Sequence, residues 1–81
     1  MMGNLPNSLN WLKSPISDYI PLESPKLLFN QFAVILSLDD QVAVVMFPIK
    51  LLESATRNIR QIEAGFKGYF KCQVNVRLVG Y

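Results

Sequence analysis

Histidine is absent from this 81-residue chain. The usual general base near neutral pH is therefore missing, and no Cys–His or Ser–His–Asp relay can form within it. Asp39 and Asp40 are adjacent carboxylates. Two carboxylates can share a proton when their side chains converge, but neighbours in a turn more often point apart into water. Cys72 is the single cysteine, so no intramolecular disulfide is available. One thiol and scattered acids cannot build a tetrahedral zinc site. Cys72 falls on the apolar parity of a strand, where a buried, inert thiol is expected. No Gly-rich phosphate loop of the Walker or Rossmann kind occurs. The expectation is a non-enzyme without catalytic residues, cofactor or metal.

Binding chemistry has more to offer. The tetrapeptide Gly65-Phe66-Lys67-Gly68 is similar to the Gly-x-x-Gly loop with which KH domains clamp a nucleic-acid backbone. In that family the loop joins two helices. Here Tyr69-Phe70 leads straight towards a strand, so a helix-terminating turn is the simpler reading. Phe66, Tyr69, Phe70 and Tyr81 could stack bases beside Lys67, Lys71 and Arg77. Core packing is the commoner use of such aromatics.

Charge adds little to that case. The net charge is +2, too small to imply a nucleic-acid partner by itself. It is nevertheless uneven. Residues 1–48 carry Lys13 and Lys26 against Asp18, Glu23, Asp39 and Asp40, a net of −2. Residues 49–81 carry Lys50, Arg57, Arg60, Lys67, Lys71 and Arg77 against Glu53 and Glu63, a net of +4.

The elements that must position these residues fall into two parts. Residues 1–26 hold Pro6, Pro15, Pro21 and Pro25, which forbid long elements. Ser14-Pro15 and Ser24-Pro25 each resemble a cap followed by a first helical proline. The same stretch carries Trp11, Leu12, Ile16, Tyr19 and Ile20, too apolar for a free tail. It reads as an arm that docks on a partner through those five residues, or that covers its own sheet.

Residues 27–81 read as a small α/β domain. Phe32 to Leu38 and Val42 to Phe47 are dense in β-branched residues and read as a hairpin apolar on both faces. Its turn, Asp39-Asp40-Gln41, lacks glycine, so a three- to five-residue loop is expected. Residues 25–38 also admit a helical reading, because periodicity does not separate buried strand from buried helix. Pro48 opens a helix whose stripe is Leu52, Ala55, Ile59, Ile62 and Phe66, and Gly65 and Gly68 read as its end. Lys71 to Val79 alternates cleanly as a last strand.

The fold expected is α+β: an irregular N-terminal arm, then a β-β-α-β unit forming a small three-stranded sheet with one amphipathic helix on one face. Hydrophobic residues make up 51% of the chain and charged residues 17%, the latter below the usual ~25%. A chain this small has little interior, so part of its apolar surface should be covered by another molecule. Residues 1–10 have no basic, apolar leader pattern, and no run reaches the ~18 apolar residues of a membrane span. A lone cysteine suits a reducing compartment, so the cytoplasm is expected. The function expected is a non-enzymatic protein–protein interaction module, self-associating or a small accessory subunit. The alternative is a small nucleic-acid-binding module using the basic C-terminal half.

Overall fold

Valine and isoleucine density makes the strands and the three-four stripe makes the longest helices, as periodicity requires. A computed structural model describes residues 9–81. It is α+β, with a 3-10 turn at Asn10–Leu12 followed by α1 (Lys13–Ser17), α2 (Glu23–Phe32), β1 (Val34–Asp39), β2 (Val42–Phe47), α3 (Ile49–Arg57), α4 (Ile59–Phe70) and β3 (Asn75–Gly80). The sheet order is β1-β2-β3, antiparallel between β1 and β2 and parallel between β2 and β3. The arm's Leu5 and Pro6 lie outside the described residues.

All described helices pack on one sheet face. Ile35, Ala43, Val45, Phe47 and Val76 point into that layer and join Leu12, Ile16, Ile20, Phe29, Ala55, Ile62 and Phe66 in one buried cluster. The expected stripe holds. Ala55, Ile62 and Phe66 are buried, while Leu52 and Ile59 are partly buried against them. The stripe spans two helices rather than one. Asn58 (φ −105°, ψ 18°) interrupts the run, and its side-chain Nδ2 donates to the Ser54 carbonyl at 2.9 Å. Short polar side chains compete for the backbone in this way.

Four local expectations are corrected. Phe32 ends α2 instead of starting a strand, so residues 25–38 are helix first and strand second. Pro25 is tolerated because it lies in the first turn of α2, where backbone N–H groups need no helical partner. The hairpin loop is only Asp40-Gln41, since Asp39 pairs with Val42. Asp40 supplies the positive φ (42°) that glycine would otherwise provide, a conformation aspartate adopts more readily than most residues. Cys72 is exposed in the turn ahead of β3, because α4 runs on to Phe70 and β3 starts only at Asn75.

The fourth correction concerns the glycines. Gly65 and Gly68 do not end the helix; they lie within α4, which Lys71 terminates in the left-handed region (φ 62°). A Cβ at Gly65 would lie 2.6 Å from Ile20 Cγ1 and 3.0 Å from the Ile16 carbonyl oxygen. One at Gly68 would lie 2.7 Å from Tyr19 Cβ. The missing side chains form the seat for the arm. Gly68→Ala should therefore lower stability by up to about 2 kcal/mol in urea melts. Overpacking of ~1–3 kcal/mol outweighs the ~1 kcal/mol gain in helix propensity. A more stable variant would show that the arm does not sit there.

Both sheet edges are partly capped by side chains. Asn10 Oδ1 accepts from the Ile35 N–H at 3.3 Å on the β1 side, and Glu63 Oε2 accepts from the Val76 N–H at 3.1 Å on the β3 side. Lys13 Nζ donates to the Ala33 carbonyl at 2.7 Å just before β1. Partial burial of this ammonium pushes its pKa below the ordinary 10.5 by desolvation. Between the lowered value and 10.5 the unfolded chain holds more protons at Lys13 than the folded chain, so this residue's contribution to stability rises with pH. The stability difference between wild type and Lys13→Met should shift in favour of wild type as pH climbs through that window. Parallel urea melts at stepped alkaline pH would check this, and a flat or falling difference would contradict it.

Candidate protein-binding face

The sheet face opposite the helices is the candidate site. Strand alternation places Val34, Val42, Val44, Met46 and Val79 there, in rows set by the pairing Val34–Met46–Val79, Ser37–Val44–Arg77 and Asp39–Val42–Asn75. A β-bulge at Leu36 turns that residue outward with Ser37, so Leu36 is 41% exposed. Val42 and Val79 are 36% and 38% exposed, and Val44 and Met46 are half-buried. Strands apolar on both faces are usually covered on both. Here no described element lies over this face. Tyr81 borders one end of the sheet, where its hydroxyl donates to the Phe32 carbonyl at 3.4 Å.

The arm residues divide cleanly. Leu12, Ile16 and Ile20 are buried in the chain's own core. Trp11 and Tyr19 remain exposed, Tyr19 with its ring against Tyr69 of α4. The described part of the arm, residues 9–26, thus belongs to the helix layer and not to the open sheet face. Helix α2 also runs through residue 26, joining the arm to the rest of the chain without a break.

No family model, curated protein or solved structure matches the chain.

The three basic residues do not converge. Lys67 is exposed on the last turns of α4, and Lys71 follows it with its ammonium 5.1 Å from the Tyr19 ring centroid. Arg77 stands on the opposite side of the molecule, on the open sheet face beside Val44. Gly65-Phe66-Lys67-Gly68 is helical, so it has no loop with which to cradle a phosphate. Phe66 is fully buried and its ring meets Phe29 edge-on at 5.7 Å, which leaves no face for a base.

The described residues form no pocket and no group of three or more His, Cys, Asp or Glu placed to hold a metal ion. No helix among them is long and apolar enough to cross a membrane. Sequence reasoning left this sheet face to the arm or to a neighbour, and the described part of the arm lies elsewhere. The available signal was the apolar outer parity of β2, Val42, Val44 and Met46, in a chain with too few elements to cover both sides.

Proposed function

We propose that this chain is a non-enzymatic protein-interaction module that docks through the open face of its sheet. The observation that supports the reading is the uncovered row of apolar side chains on a domain whose every described helix lies on the other side. Burying such side chains contributes roughly 25 cal/mol per Å² removed from water, and a protein surface is the natural source of that burial. The side-chain caps on Ile35 and Val76 disfavour strand addition at the edges, which leaves the face as the docking surface. Self-association and accessory-subunit roles both use it.

The test is a comparison of apparent mass in native extract. At high loading concentration the wild-type chain should elute above 9.2 kDa, and Val44→Lys should return it to the monomer position while keeping its fold. Val44 is half-buried at the centre of the face, so its replacement by lysine leaves the helical core untouched. A wild-type chain that elutes as a monomer at every loading concentration, alone and in extract, would refute the reading.

A further inference from the structure

We propose that the occupant of the open face is a second copy of this chain, packed sheet against sheet about a two-fold axis parallel to β2. The inference rests on the reading of that face as a docking surface and adds the partner and its orientation. The pattern of charge across the three strands carries it. Arg77 stands on β3, in the Ser37–Val44–Arg77 row. Asp39 stands on β1, one row along, in the Asp39–Val42–Asn75 row. Both are exposed, and neither has an ion-pair partner among the described residues.

A two-fold axis along β2 superposes β2 on its counterpart and exchanges the flanks, so β3 of one copy lies over β1 of the other. Stacked sheets lie about 10 Å apart, and adjacent rows on one face are about 7 Å apart. Arg77 then faces Ser37 and Asp39 of the second copy within reach of its long side chain, and symmetry makes the contact twice. The apolar row Val34–Met46–Val79 packs on its own counterpart. A two-fold axis across the strands, centred on Val44, would instead set Arg77 over Arg77, which like-charge repulsion disfavours. Three strands about 4.8 Å apart and about 20 Å long offer a footprint of only about 300 Å². A standard interface buries roughly 800 Å² per partner, so the dimer should be weak and reversible.

Sedimentation equilibrium on the full chain tests this. The mass should rise with concentration from 9.2 kDa towards twice that value. Arg77→Asp alone and Asp39→Arg alone should each weaken association by about tenfold. The double variant Asp39→Arg/Arg77→Asp should restore it, because the pair is remade with its signs exchanged. Thermal melts should show all three variants folded, since both positions are exposed. A monomer mass at every concentration overturns the proposal, and so does a double variant that fails to recover. Val44→Lys separates this proposal from the reading beneath it. Association that vanishes in Val44→Lys but ignores both charge reversals keeps the face as a docking surface and overturns the arrangement proposed here. Association that survives Val44→Lys overturns both.

Discussion

A chain lacking residues 1–22 should fail to fold cooperatively. Leu12, Ile16 and Ile20 are 4%, 0% and 1% exposed. Each such side chain contributes roughly 1.5–3 kcal/mol when fully buried, so the three together represent about 5–9 kcal/mol. A domain of this length has a total stability of only about 4–12 kcal/mol. The deletion would also unroof the seat at Gly65 and Gly68 and open the cluster around Phe29 and Phe66. Far-UV circular dichroism in urea, with a hydrophobic dye, measures the outcome. Dye binding and a lost transition are expected. A truncated chain that melts cooperatively near the wild-type midpoint would show that the arm is dispensable. Tryptophan fluorescence cannot replace this experiment. Trp11 is 65% exposed even though its neighbour Leu12 is buried, so acrylamide should quench it strongly with the arm fully docked.

Phe66→Ala should cost about 3–5 kcal/mol, the range for removing a buried phenylalanine. Phe66 is fully buried, meets Phe29 edge-to-face and stacks against Phe70 at 6.3 Å between centroids. The loss therefore combines transfer, cavity and ring-contact terms, and a double-mutant cycle with Phe29→Ala should show a coupling of about 0.5–1.5 kcal/mol. Urea midpoints supply these values. Arg57→Ala is the contrast. Its ion pair with Glu53, at 3.0 Å, is exposed, so the change should stay within about 0.5 kcal/mol. A cost at Phe66 no larger than at Arg57 would mean that α4 is rotated away from the core. Ile59, at the middle of the stripe in sequence, is only partly buried, so Ile62 and Phe66 carry the greater load.

The elements legible in the sequence were those with a repeating local pattern. The stripe from Leu52 to Phe66 and the alternation from Val74 to Leu78 each repeat often enough to identify both the element and its inner face. The switch from α2 to β1 at Ala33 was not legible, because residues 27–38 are apolar in nearly every register. Gly65 and Gly68 misled for a different reason. Glycine costs a helix about 1 kcal/mol, so it reads as an ending unless something packs on the bare backbone. That something is Ile16, Tyr19 and Ile20, some fifty residues away in the chain. Cys72 followed from the same error, since a helix extended to Phe70 pushes the strand's start beyond it.

Composition and periodicity alone determined that this chain is α+β, that its second half carries an amphipathic helical run, and that it lacks histidine for acid–base chemistry. They also pointed to the packing of the first 26 residues along some apolar surface. Tertiary structure alone decided which surface. An apolar segment gains about the same free energy on any apolar surface of equal area, so its sequence does not choose between the two sides of a sheet. Shape makes the choice. The glycine seat on α4 admits Ile16, Tyr19 and Ile20 at backbone distance, and residues 9–26 settle in the helix layer. The face bearing Val42, Val44, Met46 and Arg77 is left uncovered by the described residues for that reason.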